Sequence, residues 1–117
     1  MLLVIPKEAM TSRIDQLKQF AQEDPNDPFN KYALALEYQK TENNKALEIF
    51  EQLVIDHRDY VPTYYHLGKL YQEYGRNQDA LQVFEAGISE AGKQHDNKAL
   101  NELKAAHREA QFESTGD

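Results

Sequence analysis

The stretch His66–Phe84, HLGKLYQEYGRNQDALQVF, places a glycine, Gly68, in the middle of an apolar run with helical spacing. Leu67, Leu70 and Tyr71 fall at i, i+3 and i+4, the signature of one buried helix face. A glycine inside a helix costs about 1 kcal/mol relative to alanine, so its presence asks for a compensating reason. Upstream, Ala33–Phe50 reads ALALEYQKTENNKALEIF and has the same grammar: a helical apolar run, a polar break, and a second run ending in phenylalanine.

Superposing the chain on itself makes that likeness explicit. KALEIFEQL from Lys45 matches DALQVFEAG from Asp79 at an offset of 34 residues, with Ala46 on Ala80, Leu47 on Leu81 and Phe50 on Phe84. The helices that precede them match at 33, with Tyr32 on Tyr65, Leu34 on Leu67, Ala35 on Gly68 and Tyr38 on Tyr71. The missing residue falls in the turn TENN. Periodicity and turn signals together predict about six helices, over 12–23, 29–40, 44–56, 62–74, 77–91 and 97–112. The breaks are DPNDP at 24–28, TENN at 41–44, the corner before Pro62, Gly75, and a loop opened by Gly92. Ser12 or Thr11 is available to cap the first helix and Asn97 the last. No segment alternates as a strand does, so the fold class is all-α.

Two helix-turn-helix units with a period near 34 resemble the tetratricopeptide repeat family. The second unit carries its pattern as Tyr64-x₂-Leu67-Gly68-x₂-Tyr71 followed by Ala80-x₃-Phe84, with tyrosine in place of the family's tryptophan. The first unit has Lys31 at the large aromatic position and Ala35 at the glycine, while Leu34, Tyr38, Ala46 and Phe50 fit. Pro25 stands where a preceding half-unit would close; Arg58 and Gly92 stand where the two full units would close with proline. The resemblance covers residues 12 to 92 and implies a right-handed helical-repeat superhelix.

The organisation that follows is an N-terminal arm over 1–11, one helical domain over 12–112, and a tail over 113–117. Within the domain, repeat units occupy 28–60 and 61–94, flanked by helices 12–23 and 97–112. Two full units are fewer than the three usually needed to bury both faces of a repeat array, so the flanking helices must cover the ends. Small residues mark where helix axes approach: Ala35 and Ala46 in one unit, Gly68 and Ala80 in the next.

Composition limits the function. Twenty Asp and Glu outnumber 13 Lys and Arg, for a net charge of −7, and no block of basic residues interrupts that balance. A polyphosphate partner is disfavoured, so no nucleic acid is expected. Cysteine is absent, which removes disulfides and thiolate metal sites. The apolar patch Leu2–Ile5 is too short for a signal sequence or a membrane span, and a cytoplasmic location with no membrane partner is the expectation. His57, His66, His95 and His107 form no i, i+4 pair, and the adjacent His95 and Asp96 read as a polar corner rather than a metal site. Ser12, Ser89 and Ser114 sit in no nucleophile elbow, and the glycines form no phosphate-cradling run. No enzymatic activity, cofactor or metal is expected.

The family resemblance implies a shallow groove lined by the first helix of each unit. It places Tyr32, Leu36, Gln39 and Lys40 there from the first unit, and Tyr65, His66, Lys69, Gln72 and Glu73 from the second. Tyr32, Leu36, Gln39 and Tyr65, Lys69, Gln72 each follow i, i+4, i+7, which independently puts each set on one helix face. Such a surface suits a peptide or a helix of another protein, with Lys69 meeting a partner's carboxylate. A plainer reading has the two tyrosines simply packing on neighbouring helices. Some relatives clamp a C-terminal carboxylate with lysine and asparagine, but Tyr32 and Leu36 occupy the corresponding surface here, so that specificity is not expected. The leading expectation is therefore a non-catalytic adaptor, scaffold or assembly factor. The alternative is a self-associating subunit whose stack end or N-terminal arm forms a homodimer.

Overall fold

The computed structural model describes residues 12–115. Its elements are α1 (Arg13–Glu23), α2 (Pro28–Tyr38), α3 (Asn43–Asp56), α4 (Pro62–Glu73), α5 (Asn77–Lys93) and α6 (Asn97–Thr115), with no strand among the described residues. The arm expected over 1–11 lies outside the described residues. Residues 113–115, expected in a tail, continue α6.

Local chemistry explains where the helices start and stop. The Asp15 backbone N–H donates to Ser12 Oγ at 3.1 Å, capping α1. Asp27 Oδ1 accepts from the Phe29 N–H at 3.0 Å, and Pro28 opens α2 at the position where its missing N–H costs nothing. At the end of α4, Gly75 takes a left-handed conformation (φ 72°), and the Arg76 N–H reaches back to the Tyr71 carbonyl at 2.8 Å. The end of α5 repeats this closure with a different residue. His95 is the left-handed residue (φ 57°), and the Asp96 N–H donates to the Ala91 carbonyl at 2.9 Å.

Two sequence expectations are corrected here. Gly92 does not open the loop; it lies inside α5, which runs on to Lys93. The cap of α6 is Asp96, whose Oδ1 accepts from the Ala99 N–H at 3.1 Å, so Asn97 is the first helical residue.

Each helix packs on the next along the chain, and α4 also packs on α6. One core runs through the stack, from Leu17 on α1 through Ala35, Phe50, Leu67 and Phe84 to Leu103 on α6. The compensation for Gly68 is the ring of Phe84. A Cβ at position 68 would sit 2.5 Å from Phe84 Cζ and 2.6 Å from Cδ1, closer than carbon atoms approach. The atoms nearest to position 68 thus belong to the repeat's phenylalanine. A second glycine does comparable work on the next helix: a Cβ at Gly87 would lie 2.6 Å from Tyr64 Cβ and 3.1 Å from Leu103 Cδ1. Position 87 is therefore where α4, α5 and α6 converge. Leu103, Ala106 and Ala110 are buried against this convergence, so α6 covers the open end of the second unit.

Candidate partner-binding groove

Contact between α4 and α6 brings the first helix of the second unit beside the last helix of the chain. Three shallow hollows follow this seam, of about 220, 450 and 250 Å³. The first has an aromatic and apolar wall of Tyr32, Pro62, Tyr65, His66, Ala99 and Leu103, with Asp96, Lys98 and Glu102 also in its lining. Tyr65 and Glu102 pass into the second, which has Ala105 and Ala106 in its lining. Lys69 links the second to the third, where Gln72, Glu73 and Glu113 stand. The hollows therefore follow one another along the seam, each sharing at least one wall residue with the next.

Six of the nine residues expected to face a partner line these hollows: Tyr32, Tyr65, His66, Lys69, Gln72 and Glu73. Leu36, Gln39 and Lys40 line none of the three hollows. Leu36 packs at the edge of the core, Gln39 caps the end of α2, and Lys40 pairs with Glu37 at 3.1 Å.

The aromatic hollow is also a joint between units. The Tyr32 ring lies 5.5 Å from those of Tyr60 and His66, in edge-on geometry, and His66 stacks on Phe50 with an interplanar angle of 12°. Tyr32 thus packs on the next unit, as the plainer reading has it, and also lines the hollow. Burial pushes the His66 imidazole below its ordinary value of 6.5, because little water is left to solvate a charged ring. Burial raises the Tyr32 phenol above its ordinary value for the same reason.

Lys69 has a different neighbour from the one expected. Its Nζ lies 3.8 Å from Glu109 Oε2 on α6, so its charge is partly answered within the chain. Gln72 Nε2 donates to Glu113 Oε2 at 3.0 Å, while Gln72 Oε1 is buried with no donor among the described residues. Glu73 accepts from Asn43 Nδ2 at 3.4 Å.

What the sequence reading missed is the contribution of α6. Glu102, Glu109 and Glu113 recur at i, i+7 and i+11, a spacing that places three carboxylates on one face of that helix. The signal was present, but it gains meaning only once α6 is known to lie against α4.

A larger hollow, about 590 Å³, opens elsewhere, where α3 and α5 flank α4. Its tyrosines are committed internally. Tyr64 donates to the Arg58 carbonyl and Tyr71 to Glu51 Oε2, each at 2.6 Å, and burial with that second bond pushes the Tyr71 phenol far upward.

Among the described residues no three His, Cys, Asp or Glu side chains converge as metal ligands, and no helix is long and apolar enough to cross a membrane.

No protein-family model matches the sequence, and no curated protein matches it. Solved structures do. The tetratricopeptide repeat domain protein of Salinibacter ruber is 46% identical in its crystal structure, over 73% of this chain and 97% of that one, with a TM-score of 0.70. Its solution structure gives 47% identity, coverage of 75% and 90%, and a TM-score of 0.71. Protein BPP2914 of Bordetella parapertussis shares the fold at 21% identity, over 92% of this chain and 95% of that one, with a TM-score of 0.76.

Proposed function

We infer, because the chain belongs to the tetratricopeptide repeat family, that it is a non-catalytic protein-interaction module holding a peptide or helix of another protein along the α4–α6 seam. The observation that carries this reading is the succession of three hollows along one seam, in which Tyr65 is shared by the first two and Lys69 by the last two. A linear series of shallow hollows suits a chain-like ligand better than a compact one. Tyr32 and Tyr65 are both half-buried, so their rings are already ordered before a partner arrives and little further entropy is lost on binding. An adaptor or assembly role in the cytoplasm belongs to the same proposal.

Selection of a displayed random-peptide library on the immobilised protein tests it. Enriched peptides should lose binding to Tyr65→Ala, in protein whose melting curve is unchanged. Enrichment of peptides that bind Tyr65→Ala as well as the parent would place the site elsewhere.

Self-association is a second reading, favoured by Phe20 and Phe29, which are 45% and 57% exposed on the α1–α2 hairpin at one end of the stack. Light scattering across a wide concentration range, with and without residues 1–9 and with Phe20→Ser/Phe29→Ser, tests it. A constant monomer mass excludes this reading. A dimer lost on either change supports it.

A further inference from the structure

The charges along the seam specify more than its shape does. Asp96, Glu102 and Glu109 border the first two hollows and Glu73 and Glu113 the third, against two cations, Lys69 and Lys98. Lys69 is already beside Glu109, which leaves its charge the less available to an incoming anion. Glu102, shared by the first and second hollows and exposed, has no hydrogen-bond or ion-pair partner among the described residues. Tyr32, Pro62, Tyr65, Ala99 and Leu103 give the first hollow an apolar wall, and the exposed Glu102 carboxylate belongs to the same lining.

We propose that the groove takes a basic peptide segment, in which one apolar or aromatic side chain fills the first hollow and lysine or arginine residues on either side meet Glu102, Glu109 and Glu113. This rests on the groove reading above and reverses the expectation that Lys69 would receive a partner's carboxylate. The excess of carboxylates raises the local concentration of cationic segments and repels acidic ones, so the charge acts on encounter and on selectivity together. The lysine or arginine donors also give the exposed carboxylate at Glu102 a partner, while the apolar anchor supplies the burial that surface ion pairs alone do not.

The test uses three sets of short synthetic peptides with the same central leucine or tyrosine, flanked by lysines, by glutamines or by glutamates. Binding to the full chain is measured by fluorescence anisotropy at low and at moderate salt. The lysine set should bind about tenfold or more tighter than the glutamate set, with the advantage shrinking as salt rises. Glu102→Gln/Glu109→Gln/Glu113→Gln, all exposed substitutions, should weaken the lysine set by about tenfold and leave the glutamine set unchanged. Equal affinity for all three sets, or preference for glutamate, overturns the basic-peptide assignment while the groove stands if Tyr65→Ala still abolishes binding. Binding indifferent to Tyr65→Ala, or no binding by any set, overturns the groove reading and this inference with it.

Discussion

Gly68 on α4 lies under the ring of Phe84 on α5, so close that a single added carbon would stand 2.5 Å from Phe84 Cζ. Helix propensity favours alanine over glycine by about 1 kcal/mol, but overpacking a core costs about 1–3 kcal/mol, and the phenylalanine ring is fully buried with nowhere to swing. Gly68→Ala should therefore lower Tm, and Gly68→Leu should lower it further, by at least several degrees. Phe84→Leu removes the obstructing ring. Gly68→Ala/Phe84→Leu should then be more stable than the sum of the two single losses, and strict additivity would disprove the contact as the cause.

The three glycines of α4 and α5 separate by environment rather than by motif. Gly87→Ala should destabilise by about 1–3 kcal/mol, since its Cβ would meet the Tyr64 Cβ, an atom that cannot rotate away from its own backbone. Gly92→Ala should do the reverse. It is helical and nothing lies within 4 Å of a Cβ there, so the loss of unfolded-state freedom should stabilise by about 0.4–1 kcal/mol. Chemical denaturation of the two variants checks both signs at once.

These glycines show what the sequence carried and what it withheld. The 34-residue offset was legible because Phe50 and Phe84 do the same job in successive units, and both are completely buried. Gly68 could be singled out as a packing residue, but its partner could not. Spacing along α5 puts Ala80 and Phe84 on one face, and only the packed geometry says which of them is opposite position 68. The break after α5 was misplaced because glycine is the usual left-handed residue, whereas this chain uses His95. Half of the groove stayed hidden for a topological reason: Glu102, Glu109 and Glu113 read as a solvated stripe until α6 is set against α4.

Removing α6 should undo more than an end. Truncation after Gln94 deletes Leu103, Ala106 and Ala110 and uncovers Tyr64, whose Cβ and the Leu103 methyl both crowd Gly87. With only two full units left, the exposed apolar face should give a fragment that binds a hydrophobic dye and melts without a sharp transition. A cooperative melt from that fragment would show that α6 is an ornament on a self-sufficient stack.

His66 gives the joint between units a dependence on pH. Its imidazole stacks on Phe50 and meets the edges of Tyr32 and Tyr65, and burial there lowers its affinity for a proton below the ordinary value of 6.5. The folded chain thus binds that proton less readily than the unfolded chain does. Stability from this group is complete above about pH 6.5 and falls as the pH drops through the folded-state value, since protons then favour the unfolded state. The Tyr32 phenol, shifted upward from 10.0, stays protonated throughout this window. His66→Phe keeps an aromatic ring on Phe50 and removes the titration. Tm measured from about pH 7 down to about pH 5 should fall less steeply for His66→Phe than for the parent chain, the difference isolating this ring from the other histidines and the carboxylates. Parallel profiles would mean that the imidazole is as well solvated in the stack as in the unfolded chain, and that its place between Tyr32 and Phe50 carries no cost to its charged form.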